Sequence, residues 1–182
     1  DRFGYFWTKG LPADTKALEH GVLDEADFLS QDEDILGMRE QMLQYELDRF
    51  ESGLLFFYVS STDQRQHMFW RLTDDQHPAF DPVLAKKFGG EIERVYLQMD
   101  SILGRAMKKM DKNTYLWVMS DHGFMSYRRS FHLNSWLKQQ GYLALINPGA
   151  QGESEFFKNT QWSETKAYAL GLNGLYINLE GR

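Results

Sequence analysis

Cysteine is absent from this chain of 182 residues. That excludes disulfides, thiolate metal sites and a cysteine nucleophile. It does not fix the compartment, for which a soluble, cytoplasmic protein is the expectation. An excess of positive charge is also lacking: 20 Lys and Arg face 26 Asp and Glu, for a net charge of −6. No global positive field therefore exists to hold a nucleic acid duplex or an anionic membrane. An anionic substrate would need local cations, a role that bound metal ions can fill. No apolar run approaches the ~20 residues that span a bilayer. Internal repeats and low-complexity segments are lacking as well. What remains is the composition of a folded domain, 42% hydrophobic and 25% charged, which argues against disorder.

The first residues, Asp1-Arg2-Phe3-Gly4, carry neither an initiator Met nor a signal-peptide pattern, and Glu180-Gly181-Arg182 follow directly on a strand-like run. Both ends read as cuts. The expectation is one partial domain over residues 1–182, internal to a longer protein.

The stretch that organises the chain is Val118-Met119-Ser120-Asp121-His122-Gly123-Phe124. An apolar run, Tyr115 to Met119, ends abruptly in Asp-His-Gly. It reads as a buried strand delivering an acid and an imidazole to its C-terminal end. Gly123 suggests a sharp turn or a close backbone approach. An adjacent carboxylate and imidazole can grip a metal ion, but a strand followed by a polar turn fits this stretch equally well.

Earlier elements bear on that choice. Residues 1 to 30 read mostly as loop, with a short helical piece from Asp14 to Leu18. Ser30 to Glu33 fits a capping box, and Ile35, Met38, Met42, Leu43, Leu47 and Phe50 recur at helical spacing up to a stop at Gly53. Leu54 to Val59 is continuously apolar and reads as a strand buried on both faces. It ends in Ser60-Ser61-Thr62-Asp63, with His67 one helical turn beyond Asp63, so that one turn of helix would put both side chains on one side. Residues 68 to 90 read as a long excursion with turn signals at Asp74-Asp75, His77-Pro78 and Asp81-Pro82. After Gly89-Gly90, an apolar stripe from Ile92 to Met110 marks a helix. A short helix from His132 to Gly141, a strand-like Tyr142 to Ile146 and an exposed loop over 150 to 164 follow. A β-hairpin over 166 to 179 turns at Asn173-Gly174.

Strand, helical crossover and strand normally give two parallel strands with a right-handed connection. Their C-terminal ends share one sheet edge, where open α/β sheets place ligands. Asp63 and His67 are therefore expected beside Asp121 and His122. Two carboxylates and two imidazoles suit Zn²⁺ or Mn²⁺. Two such ions about 4 Å apart can clamp a phosphoryl group and lower the pKa of an attacking hydroxyl. His20 and His77 read as loop histidines. Arg128 and Arg129 read as solvated surface, with an anion contact as the rival role. Arg65, Trp70 and His132 are candidate pocket residues.

Asp63-x-x-x-His67 and Ser120-Asp121-His122-Gly123-Phe124 resemble the metal-binding segments of the alkaline phosphatase superfamily. The similarity is to its type I phosphodiesterase/nucleotide pyrophosphatase branch. Phe131 to Leu137 and Ala167 to Gly174 are similar to stretches of predicted phosphohydrolases and phosphomutases of that superfamily, and the resemblance runs from about Asp14 to Arg182. It implies an α/β, alkaline-phosphatase-like fold, with a mostly parallel sheet flanked by helices and a C-terminal β-hairpin. It implies that Asp63 and His67 bind one divalent ion and Asp121 and His122 the other. It implies hydrolysis of phosphate mono- or diesters such as nucleotides, through a metal-activated Ser or Thr.

No hydroxyl in residues 1 to 53 follows a buried strand, and Ser60, Ser61 and Thr62 stand where the family has no nucleophile. The nucleophile is therefore expected upstream of Asp1, a further histidine beyond Arg182, and the 182 residues alone should be nearly inactive. A phosphorylated small molecule is the expected partner. A phosphomutase or sulfatase would share these ligands, and a degenerate metal-binding or structural domain is the non-enzymatic rival.

Overall fold

The computed structural model describes residues 3–8, 10–149, 157–172 and 174–179. The chain gathers into two compact units, residues 1–128 and 129–182.

The first unit is helical. A short α1 (Thr15–Glu19) is capped by the Asp14 carboxylate, which accepts from Ala17 N–H. The long α2 (Glu25–Arg49) follows. Its capping box is Asp24 with Asp27, not Ser30 with Glu33, so the helix starts earlier than the sequence suggests. Asp24 and Asp27 offer the same reciprocal pair of acceptors to the first-turn N–H groups. The Glu33 carboxylate instead accepts from Arg65 and Arg94. Next come α3 (Ser61–Phe69) and a single 3₁₀ turn (Trp70–Leu72).

Residues 68 to 90 are more regular than their turn signals suggest, because α4 (Pro82–Phe88) lies among them. Asp81-Pro82 is a helix start: the Asp81 carboxylate accepts from Val83 and Leu84 N–H, and proline suits the first helical position. Helix α5 (Glu91–Met107) then follows Gly90 as expected. Phe28, Leu29 and Ile35 of α2 pack with Phe69, Leu72 and Phe88, and Leu36 and Leu43 pack with Ile102.

The two apolar runs are the main departure. Neither Leu54 to Val59 nor Tyr115 to Met119 forms a strand, and among the described residues no parallel sheet exists. In the first run burial alternates: Leu55, Phe57 and Val59 are half-buried, while Leu54, Phe56 and Tyr58 are exposed. Phe57 and Val59 cover Leu36, Leu43 and Ile102. In the second run Tyr115 and Trp117 are 89% and 80% exposed. The runs carry the apolar content of doubly buried strands, but one is covered on one face only and the other on neither. Without a neighbouring ladder to pair their backbone groups, they take no strand assignment.

In the second unit α6 (Leu133–Gln139) is followed by Gly141, whose φ of 74° is the left-handed conformation that closes a helix cheaply. Strands β1 (Ala167–Leu170) and β2 (Gly174–Ile177) pair antiparallel, with Tyr168 opposite Tyr176. The hairpin is as expected; Asn173 of its turn lies outside the described residues. Tyr142 to Ile146 makes only an isolated bridge, Leu145 to Thr160. Of the loop expected over 150 to 164, residues 150–156 lie outside the described residues, and Thr160 is buried. The side chain of Asn134 acts as a further strand partner. It donates to the Ala169 carbonyl at 2.9 Å and accepts from Ala169 N–H at 2.7 Å. Leu137, Leu143 and Ala167 form the core beneath.

Candidate functional site

Helix α3 presents two faces with different tasks. Inward, Arg65 is fully buried. Its guanidinium donates to Asp32 at 2.5 Å, to Glu33 at 2.7 Å and to Gln98 at 3.2 Å. The Ser61 hydroxyl donates to the same Asp32 at 2.9 Å. Arg65 is therefore an anchor to α2 and α5, and no candidate for a substrate pocket. Outward, Asp63 and His67 lie one turn apart, with the Asp63 carboxylate 3.4 Å from His67 Nε2.

The segment after Met119 comes to this outer face. His122 Nε2 is 3.6 Å from Asp63 Oδ1 and 3.7 Å from Asp121 Oδ2. The His67 and His122 ring centroids are 6.5 Å apart. All four residues thus meet, although the parallel sheet invoked to bring them together is not formed. The Asp63 side chain is 19% exposed, and the other three are open to solvent.

His122 is held in a useful tautomer. Its Nδ1 lies 3.0 Å from the Gly123 carbonyl, which only accepts, so Nδ1 carries the hydrogen. The Nε2 lone pair is left facing the two carboxylates. That backbone contact, followed by the Asp121 and Asp63 charges, raises the His122 pKa. Gly123 lies outside the left-handed region, and a Cβ there would meet none of the described residues within 4 Å. Neither a sharp turn nor a close approach accounts for this glycine.

Further side chains frame the group. Burial, then the charges of Asp63 and Asp121, raises the Tyr58 phenol pKa and keeps it a hydrogen-bond donor. Phe124 packs against both imidazoles, with centroids 4.8 Å from His67 and 5.2 Å from His122. Trp70 stacks behind it at 5.9 Å. Tyr58 and Phe124 carried no role in the sequence reading. Their signal was position: one precedes the Ser-Ser-Thr-Asp turn and the other follows Asp-His-Gly. Arg128 is not free for an anion, because it donates to both oxygens of Asp74 at 2.6 Å and to Gln76 at 2.9 Å. Ser126 donates to Asp74 as well, and these partners hold the Asp74 carboxyl far below the usual range. His77 donates through Nε2 to the Tyr127 carbonyl at 3.0 Å. His132 stands in the second unit, 3.5 Å from the Ser130 hydroxyl.

The donor set fits a divalent ion in kind. Ligands bound at about 2.0–2.2 Å in a tetrahedron stand about 3.3–3.6 Å apart, close to the pair distances above. Among the described residues, however, no three such groups close into a metal-holding cluster. The arrangement is a set of neighbouring pairs, and two of the hydroxyls beside it are engaged elsewhere. Ser61 faces Asp32, and Ser120 donates to the His122 carbonyl at 2.5 Å.

Among the described residues no helix is long and apolar enough to cross a membrane. No curated protein and no solved structure matches the chain. A family model does, over residues 4–179, and both His-bearing segments fall within the match. The chain belongs to the type I phosphodiesterase/nucleotide pyrophosphatase family.

Proposed function

We propose that these residues form the metal-holding part of a two-metal phosphohydrolase acting on phosphate mono- or diesters such as nucleotides. The observation that carries this is the meeting of Asp63 and His67 with Asp121 and His122 across the whole α4–α5 connection. Asp63 and His67 would hold one divalent ion, Zn²⁺ or Mn²⁺, and Asp121 and His122 the other. Bound there, such ions offset phosphoryl charge and lower the pKa of an attacking hydroxyl. The chain's own residues do the rest. Gly123 fixes the His122 tautomer, as backbone carbonyls commonly do for metal-binding histidines. The charges of Asp63 and Asp121, after burial, raise the pKa of the Tyr58 phenol. The engaged hydroxyls of Ser61 and Ser120 favour an attacking Ser or Thr from outside this set. Both compact units belong, in this reading, to one alkaline-phosphatase-like domain.

The test is calorimetric titration of the chain with Zn²⁺ and with Mn²⁺, paired with an assay on a chromogenic phosphodiester. Saturable binding of two ions, reduced to one in Asp121→Ala, with negligible turnover by the 182 residues alone, is the expected result. Binding unchanged by that substitution would overturn the metal assignment. Robust turnover would overturn the external nucleophile.

A further inference from the structure

A histidine ligand must aim its lone pair closely. Productive site geometry is held within roughly 10–20°, and the terminal torsion of an imidazole is broad unless something restrains it. For His122 the Gly123 carbonyl supplies part of that restraint. The contacts around His67 are the Asp63 carboxylate and the rings of His122 and Phe124.

Phe124 touches both imidazoles from one place. It meets the His67 ring nearly at right angles, 79°, and the His122 ring at 57°. Against Trp70 it lies almost parallel, at 21°. Trp70 directly follows α3, the helix that carries His67, whereas Phe124 belongs to the segment that carries His122. The stacked pair therefore joins the two halves of the site, and both rings are half-buried. We propose that Phe124, backed by Trp70, is a positioning residue that sets the ring orientation of His67 and His122 together. This rests on the metal-holding reading for its consequence, but the orientation itself is a property of the metal-free chain. Phe124 touches no substrate in this proposal; it acts through the two imidazoles.

The experiment compares wild type with Phe124→Leu, Phe124→Tyr and Trp70→Leu, each checked for folding by its thermal midpoint. In metal-free protein, the ring-proton NMR resonances of His67 and His122 should both move in Phe124→Leu, as the ring current of Phe124 is lost, and return in Phe124→Tyr. Zn²⁺ or Mn²⁺ affinity should fall roughly 10–100-fold in Phe124→Leu, the range seen when a group that orients a ligand is removed, and recover in Phe124→Tyr. Trp70→Leu should shift the same two histidines, and it decides the matter if Phe124→Leu does not fold. Unmoved resonances in every folded variant would overturn the proposal, as would moved resonances with unchanged affinity. If wild type binds neither ion, the metal-holding reading fails, while the resonances in Trp70→Leu, which keeps the Phe124 ring, still decide whether the stacked pair orients the imidazoles.

Discussion

The Asp63 carboxylate faces His122 across 3.6 Å, although the two residues come from opposite ends of the α4–α5 connection. The same oxygen is 3.4 Å from His67. Asp63 is thus the group common to both imidazoles, and its loss should cost more than that of any peripheral residue. In Asp63→Ala the affinity for Zn²⁺ or Mn²⁺ should fall by more than the roughly 10–100-fold typical of removing a supporting partner. Calorimetric titration reads this directly; a smaller loss would place Asp63 outside the ligand set.

The raised pKa of His122 gives opposite signs to two pH dependences. The Gly123 carbonyl and the two carboxylates favour the charged imidazole, so the folded value lies above the ordinary 6.5. Stability of the metal-free fold from this group is fully present below the ordinary value and is lost as pH rises through the folded one. Metal affinity runs the other way, because an ion needs the neutral ring and must displace the proton. Affinity measured between about pH 5 and 8 should therefore climb, with its midpoint higher than for an unperturbed histidine. A flat profile would exclude His122 as a ligand.

Arg65 gives the clearest stability prediction. Arg65→Met leaves the Asp32 carboxylate buried without its cation, and removing one partner of a buried pair costs about 3–5 kcal/mol. The double variant Arg65→Met/Asp32→Leu should recover much of that loss, since no charge is then stranded. Denaturant unfolding monitored by circular dichroism distinguishes the two outcomes.

In the second unit, Asn134→Leu removes both hydrogen bonds to the Ala169 backbone. A stranded backbone group costs about 1–3 kcal/mol. Amide exchange at Ala169 should accelerate, and the hairpin should open before the contact of Leu137 with Leu143 is lost.

Much of the helical architecture could be read from local signals. The apolar stripe after Gly90 and the Asp14 and Gly141 boundaries act within a few residues, and they appear where expected. Errors arose where two local signals compete. Asp24-x-x-Asp27 and Ser30-x-x-Glu33 both fit a capping box, and the contest is decided remotely, by Arg65 and Arg94 engaging Glu33. Asp81-Pro82 serves equally as turn and helix start. The strand expectation failed for another reason: a ladder requires a partner, and an apolar run does not contain one. The meeting of the two His-bearing segments survived that failure. Trp70 packing on Phe124 and Arg128 clamping Asp74 bring the segments together without a sheet. None of these contacts is visible from spacing alone.

The uncovered runs have a consequence for handling the molecule. Leu54 to Val59 and Tyr115 to Met119 are each uncharged, free of proline, and rich in aromatic and β-branched residues. With Leu54, Phe56, Trp117 and Val118 each more than 70% exposed, both meet the description of segments that stack into cross-β assemblies. Self-association of this chain should begin at their exposed side chains. A single charge at Phe56 or Trp117 would act as a gatekeeper against it.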